Sequence, residues 1–199
     1  MDNKLGFLEE FIENNLPKIK IKYQPYATHE MEKTEEGDWM DARVYKAEKT
    51  LPILSIDNKE GELILKREVA KQEIPIQEGI YEGEKVRFIS YHAGDTLLLD
   101  LGFSAELPFN NEAHVVPRSS LFKKTGLIQT NSKGVVDNSY CGPKDIWKMP
   151  VYAKMSGFLI IGERVCQWRP MERATFNLVK ITSTKTSQSR EGFGQSGEM

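Results

Sequence analysis

The sequence predicts a mainly β domain, a barrel or jelly roll. Three observations carry this. From Lys18 onward the chain runs in short stretches that alternate apolar and polar residues. Gly, Pro and Asn interrupt those stretches at close intervals. Only one stretch, near the start, repeats its apolar residues at helical spacing. A chain of 199 residues, 39% hydrophobic and 28% charged, fits a single hydrophobic core.

Leu5, Leu8, Phe11, Ile12 and Leu16 step by threes and fours, and Pro17 follows, so residues 3–15 read as a short amphipathic helix. Ile19-Lys20-Ile21-Lys22-Tyr23 then alternates as a half-buried strand does. Further strands are expected at 87–91, 96–107, 113–116, 126–130, 146–153 and 163–168. No second long helix is evident before Arg173. Residues from about 50 to 84 are charge-rich with a few apolar alternations, and read as an inserted hairpin or lobe. The domain should extend over 1–181. Thr182 to Ser189 is a polar linker, and 182–199 as a whole reads as a flexible linker and glycine-rich C-terminal arm.

Composition narrows the function. A net charge of −2 leaves no footprint for nucleic acid or an anionic membrane. No apolar run approaches the roughly 20 residues of a membrane helix. Cys141 and Cys166 are too far apart in sequence to suggest a zinc site or a disulfide scaffold. A cytoplasmic setting is expected.

The chemistry gathers between Val115 and Gly142. Pro117-Arg118-Ser119-Ser120 offers a planar cation and two hydroxyls, groups that suit phosphate oxygens. Further on, Gly134-Val135-Val136-Asp137 places one carboxylate behind an apolar pair, with Tyr140 after it. Such an aspartate is a candidate general base, and such a tyrosine a platform for a sugar or base.

Taken together, Arg118-Ser119-Ser120-Leu121 and the later run Asn131, Gly134 to Asp137, Tyr140 and Gly142 resemble the second and third motifs of the trimeric dUTP diphosphatases (dUTPases). Gly37-Asp38-Trp39-Met40-Asp41 resembles the first motif, and Glu163 to Gln167 the fourth. Arg190-Glu191-Gly192-Phe193-Gly194-Gln195-Ser196-Gly197 resembles the glycine-rich fifth. All five stand in the family's order, in a form similar to that of Gram-positive bacteria and their phages. The resemblance covers about 18–50 and 85–199. The stretch 50–84 departs from the family, as do Cys141 with the run after it, and Gln195.

The resemblance implies a dUTPase-like β-barrel and a homotrimer with shared active sites. It implies hydrolysis of dUTP to dUMP and pyrophosphate. Asp137 would direct a water at the α-phosphorus. Arg118, Ser119, Ser120 and Gln167 would hold phosphate oxygens, joined by Arg190, Gly194 and Ser196 of the arm, with Asp41 in support. Asn131, Gly134, Val135 and Val136 would read the uracil edge. Tyr140 would lie under the deoxyribose and Phe193 would stack on the base. Mg²⁺ would be held by the triphosphate, with no protein ligands. Two other readings stand beside this one. A dCTP deaminase shares the fold and the R-S-S-L motif, but needs a glutamate that Ile146 to Ala153 lacks. A nucleotide-gated binding protein would use the 50–84 insertion to hold a regulatory partner.

Overall fold

In the computed structural model, residues 16–31, 37–59 and 62–182 are described. The expected helix at 3–15 and the glycine-rich arm lie outside them. The described residues form fourteen strands and one short helix. In chain order the strands are β1 (Lys20–Tyr23), β2 (Met40–Arg43), β3 (Lys46–Lys59), β4 (Glu62–Glu73), β5 (Gln77–Tyr81), β6 (Glu84–Tyr91) and β7 (Thr96–Asp100). They continue with β8 (Phe103–Glu106), β9 (Asn111–Pro117), β10 (Leu127–Gln129), β11 (Gly134–Asp137), β12 (Lys148–Ala153), β13 (Gly157–Ile160) and β14 (Arg164–Glu172).

The strands pair only antiparallel, in four sheets ordered β1-β8, β10-β12-β7-β3-β4, β11-β9-β14-β2 and β13-β6-β5. Alternation works as the sequence suggests. In β7 and β12, Leu97, Leu99, Met149 and Val151 point into the core and are fully buried. At the centre sit three aromatics. Phe103 lies 5.0 Å from Trp147 and 6.0 Å from Trp168, and the two tryptophans are 4.8 Å apart. Truncating either tryptophan would cost about 3–5 kcal/mol.

The run 96–107 is two strands, where the sequence suggested one. Gly102 breaks it with φ +77, and a Cβ there would stand 2.5 Å from the Tyr45 ring. The chain turns there because only glycine fits. The helix Leu121–Thr125 was not expected. It is too short to show a period, and it ends on Gly126 in the left-handed conformation, φ 68.

Residues 50–84 divide into two parts. The outer part of β3 pairs with β4 from Lys49↔Gln72 to Lys59↔Glu62, and every residue of β4 is exposed. This hairpin projects from the barrel. By contrast β5 belongs to the barrel. It pairs with β6 through a two-residue turn in which Glu82 and Gly83 both have positive φ, the geometry that matches strand twist. Ile74 packs against the core beside it. At the other end, the last strand stops at Glu172, inside the stretch expected to belong to the domain. Phe176, Leu178, Val179 and Ile181 are all well exposed.

Candidate active site

One sheet collects four of the five motifs. In β11-β9-β14-β2, Asp41 stands opposite Gln167, Gln167 opposite Val116, and Val115 opposite Gly134. Strand pairing thus brings together residues that lie as far apart in the chain as Asp41 and Gln167.

At one end of the sheet the side chains form a charged cluster. Arg118 follows β9 directly, where the chain bends into the short helix, and its N–H donates to the Val165 carbonyl at 3.2 Å. Its side-chain Nε lies 3.2 Å from Oδ1 of Asp41. The other oxygen of Asp41 accepts from Arg164 Nη1 at 3.1 Å. Asp41 is therefore a brace between two guanidinium groups, with the Gln167 amide in register beside it. Ser119 is exposed and Ser120 half-buried. The Ser120 hydroxyl makes no capping bond to the helix it precedes, which leaves it available to a ligand. Two arginines and two hydroxyls in one place suit an oligophosphate. Arg164 lies inside the run that resembles the fourth motif, but the resemblance gave it no role. Its position three residues before Gln167 on the same strand was the available signal.

Strand β11 runs from Gly134, opposite Val115, to Asp137, opposite Glu112 at the other end. Gly134 and Val136 turn partly inward, while Val135 and Asp137 face outward. So only Val136 of the valine pair packs on the core. Oδ1 of Asp137 accepts the Ser139 N–H at 2.9 Å, and its backbone carbonyl accepts the Tyr140 N–H at 3.0 Å. Oδ2 lies 3.5 Å from Arg173 Nη1. The bonds from Ser139, with the Arg173 charge added, hold the Asp137 carboxyl below its ordinary range, so it is ionised at neutral pH. Tyr140 is 44% exposed and donates to the Ile146 carbonyl at 3.4 Å, so its ring lies outside the core. Asn131 is exposed, and Gly134 is bare enough that a Cβ on it would lie 3.7 Å from Asn131 Nδ2. Arg173, like Arg164, was not foreseen.

The two ends are far apart within one chain. Asp137 pairs with Glu112 near the start of β9, and Arg118, six residues on, directly follows the end of that strand. At roughly 3.3 Å per residue their backbones stand about 20 Å apart. Arg190, Phe193, Gly194 and Ser196 lie outside the described residues. Among the described residues, no cluster of three His, Cys, Asp or Glu side chains is placed to hold a metal ion. No helix among them is long and apolar enough to cross a membrane.

No family model matches the chain. A curated relative does: the SPbeta prophage-derived deoxyuridine 5'-triphosphate nucleotidohydrolase YosS of Bacillus subtilis, 32% identical over 180 residues, 90% of this chain and 97% of that protein. The chain belongs to the dUTPase family. The dUTPase of Haemophilus ducreyi is 34% identical over 115 residues, 55% of this chain and 73% of its own length. Solved structures share the fold. A Staphylococcus bacteriophage 80alpha dUTPase with dUpNHpp matches with a TM-score of 0.59 at 13% identity, over 91% of this chain and 99% of that one. The Streptococcus mutans dUTPase matches with a TM-score of 0.51 at 19% identity, over 79% and 98%. The dUTPase β fold expected from sequence is the fold present.

Proposed function

We propose that this dUTPase hydrolyses dUTP to dUMP and pyrophosphate at sites shared between subunits of a homotrimer. The observation that carries the shared site is the separation of about 20 Å between Asp137 and Arg118. A general base must lie within about 3 Å of the proton it takes, or one water away. Asp137 of one chain cannot serve phosphates held by Arg118 of the same chain. A neighbouring chain must supply one of them. The exposed apolar run Phe176 to Ile181 leaves the barrel and leads toward the arm, which fits an arm that reaches a neighbour.

Arg118, Arg164, Ser119, Ser120 and Gln167 bind the phosphate oxygens, and Asp41 keeps the two guanidinium groups apart and aligned. Mg²⁺ would be held by the triphosphate oxygens and would neutralise their charge, since the Asp41 carboxylate at the phosphate end is already paired with two arginines. Asp137 takes a proton from water as the oxygen attacks the α-phosphorus. The bond from that phosphorus to the bridging oxygen breaks, and pyrophosphate leaves with the electron pair. Neutralising and positioning the phosphates supplies most of the barrier reduction. Asn131 with the backbone of Gly134, Val135 and Val136 reads uracil, Tyr140 supports the deoxyribose, and Arg190, Phe193, Gly194 and Ser196 close over the ligand from the arm.

A deaminase of dCTP is disfavoured because β12, Lys148-Met149-Pro150-Val151-Tyr152-Ala153, carries no glutamate for proton transfer. A docking role added to the hydrolase is favoured by one observation. The β3–β4 hairpin exposes Leu54, Ile56, Leu63 and Leu65 by 69–72% each, more apolar surface than an isolated ribbon usually shows to water. The deciding experiment offers dUTP, dCTP and UTP with Mg²⁺ to the purified chain and separates products by chromatography. Stoichiometric dUMP and pyrophosphate from dUTP alone support the proposal. Release of dUTP from dCTP would replace it with deamination.

A further inference from the structure

Gln129 is the last residue of β10 and is buried, with 7% exposure. Its Nε2 donates to the Val115 carbonyl at 3.2 Å and to Oδ1 of Asn131 at 2.8 Å. Those two bonds fix a polarity. The Val115 oxygen is a backbone carbonyl and can only accept, so the Gln129 group facing it must be the NH₂. That NH₂ also faces Asn131, so the Asn131 atom nearest it must be the carbonyl oxygen. The Asn131 NH₂ is then turned the other way, over Gly134 and the hairpin that follows. The opposite setting of Gln129 would press its Oε1 against two oxygens in a buried place. Oε1 itself has no partner among the described residues. The amide is held by its donor end alone.

We propose that Gln129 is a specificity-determining positioning residue. By locking the Asn131 amide with its NH₂ outward, it makes the site a donor to a pyrimidine carbonyl and hostile to an amino group at the same ring position. Uracil has a carbonyl at C4; cytosine has an amino group there. An outward NH₂ meets the first with a hydrogen bond and the second with an unpaired donor on each side. Gln129 is buried and acts on the base only through Asn131. The strand carbonyl of Val115 sets its orientation, it sets that of Asn131, and Asn131 meets the base. This inference rests on the reading of Asn131 as the residue that meets the pyrimidine edge.

The test measures kcat/KM for dUTP and for dCTP, by pyrophosphate release, in wild type, Gln129→Met, Gln129→Glu and Asn131→Ala. Methionine keeps the length and loses the donor. A glutamate that stays ionised accepts only, and draws the Asn131 NH₂ inward. The expected result is a dUTP:dCTP ratio lowered by about tenfold or more in both Gln129 variants, because the lock that leaves cytosine facing an unpaired donor is lost. A purely structural role would weaken both substrates alike and leave the ratio at its wild-type value, which overturns the inference. If Asn131→Ala lowers the ratio and the Gln129 variants do not, the reading of Asn131 stands and the role of Gln129 falls. If Asn131→Ala leaves the ratio unchanged, the reading of Asn131 falls and takes the inference with it. Should the Gln129 variants fail to fold, the side-chain amide protons of Gln129 in wild type decide. Slow exchange with solvent supports the lock, and exchange at the rate of a free amide overturns it.

Discussion

Arg173 grips the loop that carries Asp137. Its Nη1 lies 3.5 Å from Oδ2 of Asp137, and the same atom donates to Oδ1 of Asn138 at 2.9 Å. Arg173, directly after β14, thus reaches toward β11 and orients the carboxylate proposed to act on the water. The Ser139 bonds act first on the Asp137 carboxyl and the arginine adds to them, all lowering it from the ordinary range. The sign follows directly. A depressed carboxyl stays ionised as pH falls, so activity persists into acid and is lost only near that low value. Arg173→Gln should move the acidic limb of kcat upward, toward the ordinary carboxylate range, while kcat at pH 7 stays within about threefold because the Ser139 bonds remain. An acidic limb that does not move would separate Arg173 from the base.

Arg164 shares Asp41 with Arg118. Arg164→Gln should raise KM for dUTP by about tenfold, as loss of one charge-assisted bond costs on the order of 1.5–3 kcal/mol. The value of kcat should change less than KM. Steady-state kinetics that show wild-type KM would leave Arg164 as a surface partner of Asp41 only.

The barrel was legible in the sequence because alternation with period two is the direct signature of a half-buried strand, as in β1 and β12. The residues of the five motifs were legible by resemblance, and four of those motifs converge on one sheet. What the sequence hid was pairing across strands. Arg164 and Arg173 look like ordinary charged strand residues until Asp41 and Asp137 are placed beside them. Gln129 reads as one polar residue in a short strand, and only burial next to the Val115 carbonyl gives it a direction. The stretch 50–84 looked uniform in composition, yet Ile74 and β5 belong to the barrel and the β3–β4 hairpin does not, because charge density does not report which strand has a neighbour.

That division sets where the chain can be cut. Residues 52–69 begin and end on the facing pair Pro52↔Val69 and, among the described residues, include no buried side chain. Replacing them with a short Gly/Ser turn should leave the melting temperature within a few degrees and dUTP turnover within about twofold. Replacing 52–83 instead removes β5 and Ile74 and should destabilise the domain. A short deletion that destroys assembly, seen by sedimentation, would mean that the hairpin holds neighbouring chains together.

Removing 189–199 should leave thermal unfolding nearly unchanged and collapse turnover, because the arm is proposed to supply Arg190 and to exclude water when it closes. Full activity in the truncated chain would remove the arm from the site.

The central claim is that Asp137 and the phosphate-binding Arg118 act together from different chains. Asp137→Asn and Arg118→Gln should each be inactive as homotrimers. Unfolded together at 1:1 and refolded, about three-quarters of the trimers contain both chains, and each mixed trimer holds one site in three with both groups intact, by cyclic symmetry. Activity should return to about one quarter of wild type, assuming independent sites. If mixed trimers are shown to form, for instance by mass spectrometry, and activity stays at the level of the inactive parents, the two residues serve one site from the same chain and the account is wrong.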